Sequence, residues 1–154
     1  MKSKDNFVWF LDTLVNIRVS EKENSNGISV LEHRAYQNDS PPIHIHQNED
    51  EIFYVLDGEF RFLIDKEEIR LKKGDILTAP RGIPHTYIIE SAEGGNWITI
   101  TSGKDFEQFV KATGRPAEKI ELPQKHGIPT KEAVDELTRK AAEYKIIIAG
   151  PPLQ

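Results

Sequence analysis

Between about residue 28 and residue 101 the chain alternates short apolar runs with turn residues, the spacing of an all-β sandwich or barrel. Ile28 to Tyr36, Glu51 to Leu56, Glu59 to Ile64, Ile76 to Ala79, His85 to Ile89 and Trp97 to Thr101 are the clearest strands. Most are rich in Val, Ile, Phe, Tyr or Thr, whose side chains pack well on a pleated surface. Asp57 and Gly58, between two of these runs, predict a two-residue hairpin, because a type I′ turn needs positive φ at both central residues. Such a turn pairs Val55 with Phe60 and Phe53 with Phe62, and puts all four on the face of Glu51. Residues Phe7 to Val19 fit two periods. Phe7, Trp9 and Leu11 alternate, whereas Phe10, Leu14 and Ile17 would share a helical face; we read strand.

The pattern changes after residue 101. Ser102 is placed to cap a short helix carrying Phe106, Phe109 and Val110 on one face, with Gly114 ending it. Val134, Leu137, Ala141 and Tyr144 recur at three and four residues, so a second helix runs from Lys131 to Tyr144, with Thr130 as N-cap. Between the two, Arg115 to Pro129 contains Pro116, Pro123 and Pro129 and reads as an extended segment lying over the barrel. Ile146 to Ile148 form one last strand, stopped by Gly150, Pro151 and Pro152. The expected organisation is a single domain over 1–154, with a barrel core at about 28–101 and a C-terminal helical extension at about 102–154.

Composition narrows the chemistry. At 154 residues, 38% apolar and 29% charged, the chain suits one core of ordinary size and lacks an apolar run of bilayer-spanning length. Its start mixes Asp5, Asn6 and Asp12 into the apolar stretch, unlike a signal peptide, so a cytoplasmic location is expected. The net charge is −5 and the basic residues are dispersed, which argues against nucleic acid as a partner. There are no cysteines, so strong metal ligands are limited to histidines and carboxylates.

Those ligands are gathered. His44 and His46 are separated only by Ile45, and on a strand residues i and i+2 share a face, so both imidazoles can reach one ion. The acidic run Glu49, Asp50, Glu51 follows, and Glu51 leads directly into the next strand beside the histidines. Glu51 is the ligand candidate, able to bind an ion or to stand off as a base; Asp50 is an alternative oxygen ligand and Glu49 a loop charge near the mouth. Phe53 and Tyr87 share the inward parity of Glu51 and His85, and so face either a pocket or the core. His33 and His126 lie outside the pattern.

The two blocks, His44-x-His46-x4-Glu51-x6-Gly58 and Gly74-x5-Pro80-x-Gly82-x2-His85, resemble the paired motifs of the cupin superfamily. Asn38 stands where the first motif usually opens with Gly, and Ile89 where the second often ends with Asn. Trp9, Phe10, Pro41, Pro42, Phe53 to Leu56 and Gly150 to Pro152 are similar to small bacterial cupins grouped with quercetin 2,3-dioxygenase. The resemblance implies a small jelly-roll barrel in which His44, His46, Glu51 and His85 ligate one divalent transition metal ion, drawn from Fe, Mn, Ni, Co, Cu and Zn. It also implies a dioxygenase acting on a flavonol-like or other enol or polyphenol, with Glu51 as the catalytic proton acceptor. A metal-dependent isomerase or lyase and a non-catalytic binding module are the alternatives. The apolar residues around Glu51 suit a small apolar or aromatic organic partner, and the sheet edges predict a homodimer.

Overall fold

The computed structural model describes residues 4–154. Its strands are β1 (Phe7–Phe10), β2 (Thr13–Val19), β3 (Ile28–Ala35), β4 (Ile43–His46), β5 (Glu51–Asp57), β6 (Glu59–Ile64), β7 (Glu67–Lys72), β8 (Ile76–Ala79), β9 (His85–Ile89), β10 (Gly95–Ser102), β11 (Arg115–Pro116) and β12 (Ile146–Gly150). Two helices, α1 (Asp105–Thr113) and α2 (Lys131–Glu143), follow β10 and β11. The strands form a seven-stranded sheet ordered β11-β1-β2-β3-β10-β5-β8 and a five-stranded sheet ordered β12-β4-β9-β6-β7. The pairings are antiparallel, and the two sheets close face to face as a jelly roll.

Alternation explains the closure. Phe53 and Val55 of β5 and Trp97 of β10 point inward from one sheet, Phe60, Phe62 and Ile89 from the other, all at about 1% exposure or less. Phe53 meets Phe62 edge-on across the interior, with ring centroids 4.9 Å apart. The Asp57–Gly58 hairpin is not formed. β5 bonds to β10 and β8 while β6 bonds to β9 and β7, so Asp57 and Gly58 carry the chain round a corner from one sheet to the other. Gly58 has φ 95, and a Cβ there would lie 2.7 Å from Gly94 O, so close backbone approach sets the glycine. The hairpin lies further on, at Asp65 and Lys66, between β6 and β7.

Residues 7–19 are two strands rather than one, joined at Leu11 and Asp12, with Leu11 at φ 53. Their ambiguous period has a physical cause, because both faces are covered. Val8, Val15 and Ile17 pack with Leu31 and Val110 on one side. Trp9 and Leu14, paired across the hairpin, occupy the other, where Trp9 Nε1 donates to Glu121 O of the extended segment.

The C-terminal elements fall where the pattern puts them, with one correction. Ser102 ends β10 and caps nothing; the N-cap of α1 is Lys104, whose side chain makes no cap. The buried carboxylate of Glu49 takes that role, accepting from Asp105 N at 2.8 Å and Phe106 N at 3.2 Å. Thr130 Oγ1 caps α2 by accepting from Ala133 N. β12 then lies along β4, with Ile146 opposite His46 and Ile148 opposite His44. No helix among the described residues is long and apolar enough to cross a membrane.

Candidate metal centre

Three strands of the two sheets deliver the cluster. β4 carries His44 and His46 on one face, and the ladder to β9 sets His85 directly opposite His44. Glu51 opens β5 in the other sheet and reaches across the interior. One ligand atom from each of the four lies within 4.8 Å of those from the other three. Glu51 Oε2 is 3.0 Å from both His46 Nε2 and His85 Nε2. Asn38 stands at the start of this region with φ 68, a conformation asparagine tolerates in place of glycine. Its N–H donates to Ile89 O, so the two positions that depart from the motifs hold each other.

The residues fit a divalent transition ion. His44 Nδ1 lies 2.7 Å from Pro42 O and His85 Nδ1 lies 3.1 Å from Ile83 O, so each Nδ1 carries the hydrogen and Nε2 is left with a lone pair. A lone pair on His85 Nε2 facing a carboxylate oxygen at 3.0 Å needs a cation or a proton between them. His46 is only 2% exposed; its Nδ1 has no hydrogen-bond partner, and its Nε2 faces Glu51 Oε2 at 3.0 Å without the alignment of a hydrogen bond. Three imidazoles and one carboxylate form a donor set suited to Fe, Mn, Co, Ni, Cu or Zn.

The electrostatics agree. Burial works against charge on Glu51, yet His46 and His85 outweigh it and hold its carboxyl well below the usual range, so it is an anion. Burial also opposes charge on His46, and Glu51 overcomes it, raising the imidazole above its ordinary value. His44 is pushed down to about 3 by burial, with His85 and His46 adding to the effect, and stays neutral.

The cluster opens onto a cavity of about 70 Å³ with largely apolar walls. Phe53, Trp97, Phe106 and Phe109 line it, and so does His33. Alternation offered a signal for His33, which sits between the inward Leu31 and Ala35 and is flanked by Glu32 and Arg34. Its ring stacks on Trp97 at 5.0 Å, and Nε2 lies 2.8 Å from Thr99 Oγ1. Burial pushes its pKa down to about 4, against the pull of Glu51. Tyr87 also faces the cavity, and burial, Asp39 and Glu51 raise its phenol well above the ordinary range. Asp50 is not part of the cluster; it is exposed and accepts from Arg81 N. His126 lies elsewhere, paired with Asp12.

A family model described as the cupin domain matches residues 32–101, the stretch that holds all four cluster residues. Residues 32–101 thus match the cupin domain in sequence, and the two facing sheets agree with its jelly-roll fold. Quercetin 2,3-dioxygenase of Bacillus subtilis is 29% identical over 107 residues, covering 70% of this chain and 32% of that protein. The chain spans about a third of the length of the curated relatives it matches. Among solved structures, a predicted oxalate decarboxylase from Thermotoga maritima aligns with TM-score 0.55 at 20% identity, over 58% of this chain and 79% of that one. KdgF from Halomonas sp. aligns with TM-score 0.54 at 19% identity, over 62% and 84%. Both are likenesses of fold.

Proposed function

We propose that the chain is a metal-dependent cupin enzyme, a dioxygenase acting on an enol or polyphenol. The observation that carries the reading is the meeting, in one cavity, of a three-histidine, one-carboxylate cluster with an aromatic wall. An ion held by His44, His46, Glu51 and His85 would supply Lewis acidity and a redox centre for dioxygen. The chain's own residues supply the rest. Phe53, Trp97 and Phe106 pack against a flat molecule and keep water out. Tyr87 keeps its proton and His33 stays neutral, so both are hydrogen-bonding groups that add no charge. Glu51, the anion at the reacting end, accepts the enol proton. Both atoms of dioxygen enter the product, and the substrate supplies the electrons. The identity to the Bacillus subtilis dioxygenase supports this choice over an isomerase, a lyase or a module that only binds.

Oxygen uptake by the metal-loaded protein tests it, with a panel running from single-ring enols and catechols to flavonols. Uptake with at least one member is expected, and Glu51→Gln should lower it while metal content is measured in parallel. A fully metallated protein that consumes no oxygen with any member sinks the dioxygenase and leaves the metal-binding cupin.

A homodimer belongs to the same proposal. Ile52 and Tyr54 of β5 sit beside Ile100 and Ile98 of β10 on the outer face of the larger sheet, next to Ile76 of β8. Tyr54 is 37% and Ile76 65% exposed, an apolar surface that a second copy would cover. Sedimentation should show a dimer at micromolar concentration and a monomer for Ile76→Glu; a monomeric parent protein ends the idea.

A further inference from the structure

The cavity is assembled from two sources. The cluster, Phe53 and Trp97 belong to the matched core, residues 32–101. The roof does not. Phe106 and Phe109 come from α1, Leu137 from α2, Ile146 and Ile148 from β12, and Leu11 from the β1–β2 turn. Exposure rises from 1% at Phe53 and Trp97 to 42% at Leu11, which puts the mouth beside that turn. Leu137 is half-buried and packs with Phe10, the neighbour of Leu11, around Phe109 and Ile146. The turn and α2 therefore share one rim.

The space under this roof is small. A cavity of about 70 Å³, open at its mouth, is smaller than an enclosed apolar cavity of about 150 Å³ that holds benzene, so a single ring fills it and extends into the mouth. It falls far short of sites of about 300–1,000 Å³ that take drug-sized ligands. A three-ring flavonol belongs to the second class. Two polar groups on the wall, His33 and Tyr87, leave room for a molecule with one or two oxygens and a compact apolar body.

Resting on the metal-site reading above, we propose that the segments flanking the core act as a size filter: with the roof closed, the site selects a single-ring or smaller oxygen-bearing molecule, and Leu11 and Leu137 set the limit. The two residues suit the role differently. Leu137 is carried on a capped helix anchored by the fully buried Ala141. Leu11 holds its side chain at the mouth with a left-handed φ of 53, so its position is fixed by the turn.

The test separates binding from turnover by loading the full chain with Zn²⁺, which does no redox chemistry. Calorimetric titration with catechol and with quercetin should show catechol binding at least tenfold more tightly. Leu137→Ala should narrow that ratio at least threefold by admitting quercetin. Leu11→Gly should do the same; because glycine suits the positive φ, this variant keeps the turn intact if Leu137→Ala disturbs α2. Ile76→Ala, on the far sheet edge, should leave the ratio alone. Quercetin binding as tightly as catechol, no catechol binding at all, or a ratio unchanged in both rim variants overturns the filter. If the zinc form discriminates by size while the protein loaded in turn with Fe, Mn, Co, Ni and Cu consumes no oxygen with any member of the panel, the filter stands and the dioxygenase reading falls.

Discussion

Glu49 and Glu51 are two residues apart, both 2% exposed, and they serve different regions of the molecule. Glu49 turns towards the start of α1, where its acceptors meet backbone N–H groups that are always present. Gly103 makes room for it, since a Cβ there would lie 2.6 Å from Glu49 Oε1. Burial still outweighs those hydrogen bonds and raises its pKa. Glu107, further along α1, is more completely held, by Ser20 Oγ, Glu21 N, Ser29 Oγ and Lys111 Nζ. Burial opposes its charge, but these donors win and lower its pKa. Glu51 faces ring nitrogens instead, whose hydrogens are optional. A buried carboxylate with obligatory donors fastens the chain, and one whose partners can exchange a proton for a cation forms a site.

The largest expected effect breaks the cluster. His46→Ala should weaken metal binding by more than about 100-fold, beyond what losing an outer-shell partner does, while His126→Ala leaves metal content unchanged. Elemental analysis of both variants checks this, and equal losses would mean that the site is elsewhere. Removing the fastening carboxylates should do the reverse. Glu107→Ala leaves several donors unpaired and should destabilise the fold by about 2–4 kcal/mol, and Glu49→Ala, the loss of a helix cap, by about 1–2 kcal/mol. Urea unfolding combined with metal analysis tests the pair, which should lose stability and keep metal. Loss of metal at unchanged stability would erase the distinction.

The same contrast explains what could be read from the sequence. The ligands were legible because their spacing is local: His44 and His46 share a strand face, and Glu51 and His85 open strands marked by apolar runs. β7 was not, because Glu67, Glu68, Arg70 and Lys72 face solvent along a sheet edge and leave only Ile69 and Leu71 as an apolar signal. The corner at Asp57 and Gly58 carries a turn signal that says nothing about whether the strands it joins will pair. The cap on α1 comes from Glu49, far away in sequence, so inspection near Ser102 could not find it. His33 was missed for a related reason. Alternation marks it as inward, but only the fold shows that inward at this point means a cavity beside Glu51.

A third kind of carboxylate sharpens the comparison with the smallest effect. Asp39 is half-buried and raised from 3.8 to about 6, first by burial and then by the charge of Asp12, with Lys125 only partly offsetting them. Tyr87 and His126, the latter bound to Asp12, lie in the same neighbourhood. A folded-state value above the unfolded one means that the folded chain holds the proton more tightly. The penalty is therefore absent below about pH 4, grows as pH rises towards about 6, and is complete above it. A shift of this size corresponds to about 3 kcal/mol at most, and partial exposure reduces it to about 1–2 kcal/mol. Asp39→Asn, which keeps the shape and removes the charge, should raise unfolding stability by that amount at pH 7 and by little at pH 4. A gain equal at both values would trace the effect to packing and not to charge, whereas a loss of stability would make Asp39 a fastening residue like Glu49 and Glu107.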